Sequence, residues 1–531
     1  MPGQRRAPAP KGRSVALAER SGSRSRIFHL AVFFFLFAVP LFAIHWSLFG
    51  LPFFWDEQGQ FIPTALDLLR SGAWIAHSTI PNVHPPGVEA YLAAWYKLFG
   101  FSIPVTRAAM LLMAGFGLLF TFLLAIELSR DADGAPAFLP PLLLLASPLF
   151  YTQSMMAQLD MPAMVFTLLS LLLFLKKNYV ASAAACIALV LVKETGIVAP
   201  AVFFAFLAWR KDWKRAGLFV TPAIALACWL LVLHRGTGYW LGNPGFAHYN
   251  VGYALNPVRM ALSFARRIYY IFFAEFRWIG TILLLWVARK SRIFRSGPWR
   301  VTLAVSIATL ALVSIFGGAE LERYLLPVLP VFYIAVSIAA TSLPRWAGAA
   351  CTGALMAGLI GNLFWNPPYP FPYENNLAMV DFVRLQQVAA NFAERNLGQE
   401  RIATAWPYTV SFENPDYGFV KHKLNVLETN DFHFLSIAGL PERKFDALIT
   451  YSRTWAPPGG VVAVSLVRRF LEKFYDWQPD ITPEQCEALG LNKVASWKLR
   501  GQEVDVYLRN RGSPPLHAAR YLFGGAERPG S

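Results

Sequence analysis

The sequence predicts a polytopic α-helical membrane protein with a C-terminal α/β soluble domain. Of its 531 residues, 55% are hydrophobic and only 15% are charged, whereas soluble proteins carry roughly a quarter charged residues. The mean hydropathy is +0.40. The basic excess is also uneven, because residues 1–365 hold 30 Lys or Arg and 14 Asp or Glu, whereas residues 366–531 hold 18 of each. This distribution predicts a membrane domain in the first two-thirds of the chain and a soluble domain in the rest.

The N-terminal part of the chain predicts a basic tail and a first membrane span. Residues 1–26 hold seven Lys or Arg among Pro, Gly and Ser, which is typical of a disordered cytoplasmic tail. The apolar run Ile27–Leu48 is too long for a signal-peptide core and has no small-residue cleavage site. Apolar runs of suitable length then predict a transmembrane domain over 27–365 with about eleven helices. The predicted spans are 27–49, 105–127, 136–151, 161–175, 179–193, 195–209, 216–234, 265–288, 301–316, 325–343 and 347–365.

The positions of the basic residues predict the orientation. With the N-terminus in the cytoplasm, the tail and inner loops hold about 20 Lys or Arg and the outer loops about eight. This asymmetry orients membrane helices, and it explains the high net charge without nucleic acid as a partner. An odd number of spans then places the C-terminal domain outside.

Two further regions have sequence patterns that predict their secondary structure. Phe61–Leu69 is amphipathic and is expected to lie on the membrane surface. In the domain over 366–511, Asn375 or Asn376 is expected to cap a helix that ends at Asn396. Strands are predicted at 401–405, 446–451, 493–499 and 504–508, with a hairpin at Arg500-Gly501, and a further helix at 462–474. Residues 512–531 are expected to form a flexible tail.

Charged residues collect at the predicted outer face. Ionisable groups near membrane depth are costly and are functional candidates by default. The residues concerned are Asp56, Glu57, His84, Asp160, Lys193, Glu194, Glu320, Glu322 and Arg323. Their shared placement is more typical of an active site than of structural charges.

Each of these residues also has a structural interpretation. Asp56-Glu57 could start a surface helix, and Asp160 before Pro162 could be a helix cap. Lys193-Glu194 could be an ion pair between two short helices. Arg323 could be an interfacial anchor, and His84 before Pro-Pro could shape a turn.

The motifs resemble those of a known enzyme superfamily. Phe54-Trp55-Asp56-Glu57 followed by Asn82-Val83-His84-Pro85-Pro86-Gly87 resembles the first luminal loop of the GT-C glycosyltransferases. Within them it is most similar to the protein O-mannosyltransferases (glycosyltransferase family 39) and their relative, the lipid A aminoarabinose transferase. Three later segments, Gln158–Pro162, Leu191–Glu194 and Arg323–Pro327, support the resemblance, which covers about residues 25–370. Loop 235–264 is too short for the β-trefoil insert of the eukaryotic members. The resemblance therefore implies a bacterial member, which we expect in the inner membrane with its C-terminal domain on the periplasmic side.

The resemblance implies transfer of a sugar from a polyprenyl-phosphate donor to an extracytoplasmic lipid, glycan or protein acceptor. Asp56 is then the candidate general base, with Glu57 orienting it or acting as the base itself, and Asp160 as a further catalytic candidate. Charge on the leaving phosphate must be stabilised by cations. The candidates are His84, Arg107, Lys193 and Arg323, with Arg259, Arg266 and Arg267 as weaker options. Glu194 and Glu322 are possible supporting residues. A divalent metal is possible, but no residue spacing demands one, and no other cofactor is implied.

Two other classes of function remain open from the sequence. A transporter or lipid flippase also carries intramembrane charges, but these should reach both faces of the membrane. A non-catalytic assembly protein would leave Asp56 and His84 without a role.

Overall fold

In a computed structural model of the chain, residues 12–130, 135–290, 293–316, 319–441, 444–453 and 459–510 are described. The helices are α1 (Gly12–His45), α2 (Ile62–Ser71), α3 (Gly87–Phe99), α4 (Ile103–Leu128), α5 (Leu139–Ala146), α6 (Pro148–Gln153), α7 (Asp160–Leu175), α8 (Tyr179–Val192), α9 (Val198–Trp209), α10 (Trp213–Ala216), α11 (Thr221–Thr237), α12 (Pro244–Ala247), α13 (Pro257–Phe272), α14 (Arg277–Lys290), α15 (Gly297–Phe316), α16 (Leu329–Ala340), α17 (Arg345–Phe364), α18 (Ala378–Asn396), α19 (Tyr408–Glu413), α20 (Phe434–Ala438), α21 (Gly459–Val462), α22 (Ser465–Tyr475) and α23 (Pro483–Ala488). The strands are β1 (Arg401–Ala405), β2 (Asn425–Thr429), β3 (Ala447–Tyr451), β4 (Leu491–Leu499) and β5 (Gln502–Arg509).

The chain is an integral membrane protein by the length and hydropathy of its helices. Within the described ranges, five helical segments are long and apolar enough to cross a membrane: Ile27–Leu48, Ile103–Leu128, Trp213–Thr237, Gly297–Phe316 and Arg345–Phe364. Four shorter apolar helices, of 10–17 residues, lie among them. The predicted membrane domain therefore exists, but the count of eleven spans is not confirmed.

Two of the predicted spans are broken by local backbone geometry. The predicted helix over 136–151 divides into α5 and α6 at Ser147-Pro148, because a proline nitrogen has no hydrogen to continue the helical ladder. The predicted helix over 265–288 was wrong as a continuous element: α13 and α14 meet at an angle of 86°. Glu275 and Phe276 between them have positive φ angles of 53° and 64°, which is incompatible with a straight right-handed helix.

The described part of the N-terminal tail differs from the expectation of disorder. Helix α1 begins at Gly12, inside the segment predicted to be a disordered tail. The run Val15–Arg20 is rich in Ala and Leu, which favour a helix. Residues 1–11 and the predicted flexible tail at 512–531 lie outside the described residues.

The soluble domain is built on a mixed sheet with strand order β2-β1-β3-β5-β4. Strands β1, β2 and β3 are parallel, and β5 is antiparallel to both β3 and β4. The predicted hairpin at Arg500-Gly501 is present, and both residues have positive φ angles of 45° and 85°. Four strands were predicted near their observed positions. Strand β2 was not predicted, because its sequence Asn-Val-Leu-Glu-Thr shows no clear alternation and is largely exposed at the sheet edge.

Aromatic packing joins the soluble domain to the first loop of the membrane domain. Phe382 of α18 contacts Phe54 and Trp55, with ring centroids 5.6 and 5.5 Å apart. Trp55 also packs edge-to-face on Trp406 at 5.0 Å. The soluble domain therefore rests directly on the segment that carries Asp56 and Glu57, and fixes its position.

Candidate functional site

Arg323 is the centre of a cluster of charged side chains. It lies in a short helical turn before α16, and its guanidinium contacts three carboxylates from three separate parts of the chain. The distances are 2.5 Å to Asp56, 3.1 Å to Asp160 and 3.1 Å to Glu374. Its side chain is only 6% exposed. A buried arginine needs such partners, because an uncompensated charge away from water is costly.

Lys193 extends the cluster on the opposite side of Asp160. Its ammonium donates to Asp160 Oδ1 at 2.5 Å and lies 4.1 Å from the centre of the Tyr324 ring. Asp160 begins α7, but its side chain makes no capping bond to the helix. Its carboxylate instead bridges two cations, so the cap interpretation of Asp160 does not hold.

Glu57 and Arg107 form a separate, fully buried ion pair. Both side chains are 0% exposed, and the guanidinium contacts both carboxylate oxygens at 2.5 and 3.2 Å. The backbone amides of Phe54 and Ala157 also donate to Glu57, at 2.8 and 2.7 Å. Arg107 donates further to the carbonyls of Leu51, Pro52 and Met155. The pair therefore fixes the loop at 51–57 against the helix bundle.

Asp56 differs from its neighbour in being accessible. Its side chain is 15% exposed, and the described structure gives it one ion-pair partner, Arg323. It precedes the helical turn at Glu57–Phe61 but makes no capping bond. The preceding residue, Trp55, has a positive φ angle of 45°. Such a conformation is uncommon for a residue other than glycine, and it directs the chain so that adjacent carboxylates face different partners.

His84 and Glu194 meet beside this cluster. His84 Nδ1 lies 2.8 Å from Glu194 Oε2, and both side chains are about one-fifth exposed, at 18% and 20%. Glu194 follows Lys193 in the chain, so the pair is one residue from the Asp160 contact. Phe246 of α12 packs edge-to-face on the His84 ring at 5.5 Å.

Helix α13 brings a second set of arginines to the same region. Arg266 donates to Glu322 at 2.6 Å, and Asn375 donates to the same carboxylate at 3.1 Å. Arg259 pairs with Asp476 of the soluble domain at 3.4 Å. Arg267 is buried and donates to Ser263 one turn earlier. Of these three, Arg266 is linked most directly to the cluster, because Glu322 immediately precedes Arg323.

Glu374 is a member of the cluster that sequence reasoning missed. It lies in a proline-rich segment after α17 that the sequence analysis assigned to the soluble domain, and it was not among the predicted site residues. Burial raises the pKa of its carboxyl to about 7, with Arg323 opposing the shift and the nearby Asp56 and Asp160 adding to it. The sequence signal that could have identified it is a single acid in an otherwise apolar segment that follows a membrane helix.

The cluster contains more carboxylates than cations. Asp56, Asp160 and Glu374 surround Arg323 and Lys193, so the five groups carry a net charge near −1 when all are ionised. Across the described ranges, no group of three or more His, Cys, Asp or Glu side chains has the geometry of a metal site. The arrangement holds two cations in place and leaves one carboxylate, Asp56, partly open.

Comparisons with known proteins identify fold relatives but no close sequence relatives. No protein-family model and no curated protein sequence matches this chain. Among solved structures, the apo oligosaccharyltransferase of Archaeoglobus fulgidus is 11% identical, with a TM-score of 0.50 over 92% of this chain and 75% of that chain. ArnT from Cupriavidus metallidurans bound to undecaprenyl phosphate is 16% identical, with a TM-score of 0.49 over 90% and 97%. The arabinofuranosyltransferase AftD from Mycobacteria is 14% identical, with a TM-score of 0.41 over 92% and 40%. The first of these likenesses confirms the predicted GT-C-like fold.

Proposed function

We propose that this protein is a glycosyltransferase that moves a sugar from a polyprenyl-phosphate donor to a hydroxyl group of an extracytoplasmic acceptor. The observation that carries the proposal is the partly open Asp56 carboxylate beside buried Arg323 and Lys193, on a GT-C-like fold. This reaction requires a general base and a cation that binds the phosphate. Asp56 and Arg323 can fill these two roles, and their side chains are in direct contact.

Asp56 is the general base in this proposal, and Glu57 is a positioning residue. Both oxygens of Glu57 already accept hydrogen bonds from Arg107 and from backbone amides. Its oxygens are therefore occupied by protein donors and buried away from a substrate hydroxyl. Arg107 has no exposed atom through which to bind a phosphate, so we assign it to the same positioning role.

Arg323 and Lys193 bind the donor phosphate, with His84 at the edge of the site. In the free enzyme Arg323 is held by Asp56. The incoming phosphate competes with Asp56 for the guanidinium, and this competition frees the carboxylate. Donor binding thereby releases the base when it is needed.

The chemical step is a displacement at the anomeric carbon. The acceptor oxygen forms the new bond to that carbon, and its proton passes to Asp56. The bond from the anomeric carbon to the phosphate oxygen breaks, and the polyprenyl phosphate leaves as an anion held by Arg323 and Lys193. No change in oxidation state occurs, so no redox cofactor is required.

A lipid-linked donor fits the position of the cluster. The charged groups lie at the ends of apolar helices, where a polyprenyl tail can remain in the bilayer while its phosphate reaches the cations. We place this end of the bundle and the soluble domain on the periplasmic side, from the distribution of basic residues in the loops.

Mass spectrometry of surface glycans and glycolipids tests the proposal. Cells with the gene deleted are compared with cells carrying the wild-type protein, Asp56→Asn, or Asp212→Asn, which alters an exposed ion pair remote from the cluster. We expect one surface molecule to lose the mass of a single sugar in the deletion and Asp56→Asn strains only. Identical glycan profiles in all four strains would exclude the proposal. A lipid-linked sugar that stays on the wrong face of the membrane would indicate a flippase.

A further inference from the structure

A cavity of about 700 Å³ lies between the membrane domain and the soluble domain. One wall comes from the loop before α13, from α13 itself and from Ser314, Ala319 and Glu320. The other comes from the end of α22, from the segment 476–480 and from His433 and Arg453 of the soluble domain. A volume of this size accommodates a ligand of two or three sugar rings.

The cavity lies next to the Asp56 cluster. Arg266 lines the cavity and donates to Glu322, which precedes Arg323 in the chain. Tyr249 lines the same wall, and its pKa is raised by desolvation and by the nearby Asp56 and Glu320 carboxylates. A ligand that fills the cavity therefore reaches towards the proposed general base.

The described charged residues of the cavity wall are balanced. Three arginines, Arg259, Arg266 and Arg453, face three carboxylates, Glu320, Asp476 and Asp480. Arg259 pairs with Asp476, and Arg453 with Asp480. A phosphate ligand would need cations in excess, whereas matched pairs offer both donors and acceptors to neutral hydroxyl groups. The wall is suited to an uncharged polyhydroxylated ligand.

Aromatic side chains supply flat surfaces beside these pairs. Tyr475 and Trp477 stand on the soluble-domain side, and Tyr253 and Tyr369 on the membrane side. Both soluble-domain residues are half-buried, so each presents a ring face without being free to turn away. A sugar ring has an apolar face of C–H groups that packs on such rings, and a rim of hydroxyls that needs polar partners.

The polar groups of the soluble domain are pre-oriented. Arg453 follows the carboxyl end of β3, the edge at which ligands bind in parallel α/β sheets. It donates to His433 Nε2 at 3.1 Å, and His433 Nδ1 lies 3.2 Å from Asp431 Oδ2. The His433–Arg453–Asp480 group is therefore a fixed network and not a set of mobile surface charges.

From these observations we infer that the cavity binds the saccharide part of the acceptor, with Trp477 as stacking platform and the Arg453–Asp480 pair as hydroxyl ligand. This inference rests on the proposed function and assigns a role to the soluble domain: it holds the acceptor while the membrane domain holds the donor. Trp477 and Asp480 are specificity-determining residues in this view, since neither contacts the reacting atoms.

Binding of the full-length protein in detergent micelles to immobilised lipid-free oligosaccharides of bacterial envelopes tests the inference. Parallel arms use immobilised peptides and a polyprenyl-phosphate monosaccharide in nanodiscs. We expect a subset of the oligosaccharides to bind, and Trp477→Ala and Asp480→Asn each to weaken that binding at least ten-fold. The matched controls are Trp213→Ala, an exposed tryptophan outside the cavity, and Asp212→Asn. Both should bind as the wild type does.

Three outcomes overturn the inference. The first is that no oligosaccharide binds, and the second is that binding survives both cavity substitutions. The third is that the cavity binds only the peptides or only the polyprenyl-phosphate sugar. Asp56→Asn separates this inference from the proposed function, since it should abolish transfer but leave oligosaccharide binding intact. Binding without any sugar transfer in cells refutes the function alone. Transfer that is unaffected by Trp477→Ala and Asp480→Asn at limiting acceptor refutes the cavity alone.

Discussion

Replacement of Glu57 by Gln removes one partner of a fully buried ion pair while keeping the size of the side chain. Arg107 would then be left with three backbone carbonyls as partners and no compensating charge. Breaking a buried pair in this way costs about 3–5 kcal/mol. The Gln oxygen can still accept from one backbone amide, so we expect a loss in the lower half of that range.

The size of the loss distinguishes Glu57 from its neighbour. Asp56→Asn removes one charge-assisted hydrogen bond, typically worth about 1.5–3 kcal/mol, but Arg323 retains Asp160 and Glu374. The excess of carboxylates also falls by one, which offsets part of the cost. Asp56→Asn should therefore destabilise the fold by about 1 kcal/mol or less, well below the loss for Glu57→Gln.

The measurement is the free energy of unfolding in mixed micelles of dodecyl maltoside and SDS. Asp212→Asn serves as a control, because its pair with Arg215 is exposed and such pairs contribute about 0–1 kcal/mol. A double-mutant cycle with Arg107→Met isolates the pair, for which we expect a coupling of about 2–3 kcal/mol. A coupling under about 0.5 kcal/mol, or Asp56→Asn more destabilising than Glu57→Gln, would show that the two carboxylates have been assigned the wrong roles.

Three other predictions follow from the same cluster and from the loops. Asp56→Asn should lower the rate of sugar transfer about 10²–10⁴-fold with little loss of donor binding, measured with membranes that contain native donor; full activity would remove Asp56 from the mechanism. Burial raises the pKa of Glu374 to about 7, so its contribution to stability is present below the unfolded value near 4.5 and is lost as the pH rises through 7. The wild type should therefore lose about 3 kcal/mol more stability than Glu374→Gln between pH 4.5 and pH 8, and equal pH slopes would contradict this. Reporter fusions after Ser129 and Asn178 should report cytoplasm and a fusion after Ser531 periplasm; a cytoplasmic signal at Ser531 would reverse the proposed topology.

The fold was predictable where the sequence pattern is local. Long apolar runs identify the full-length spans, and β-branched runs flanked by turns identify four of the strands. The break between α13 and α14 is not marked by turn residues, because Phe273 and Phe276 are typical of a membrane helix. At the break, Arg277 is buried and donates to the Tyr333 hydroxyl of α16 and to the backbone carbonyl of Tyr270 in α13. Contacts of that kind arise only after the helices have packed.

The members of the site could be predicted from their residue types, but the role of each member could not. The charges at the outer face could be found because ionisable residues are rare there, and the structure brings Asp56, Asp160, Lys193 and Arg323 into one cluster. The division of labour between Asp56 and Glu57 could not be found, because adjacent residues in a chain have equivalent sequence contexts. It depends on the φ angle of Trp55 and on amides that arrive from Phe54 and Ala157. Glu374 was missed because it lies in the segment assigned to the soluble domain, and its contact with Arg323 exists only in the folded chain.

In the proposed mechanism, the cations that bind the donor phosphate have to be held in place before the donor arrives. Free guanidinium and ammonium groups in a buried site would carry a large desolvation penalty, so carboxylates are needed whenever the donor is absent. Here Asp56, Asp160 and Glu374 meet that need. Asp56 is the most exposed of the three, and so is the one that an incoming phosphate can displace. Glu374 is the one whose pKa burial raises to about 7, so that it can take up a proton near neutral pH.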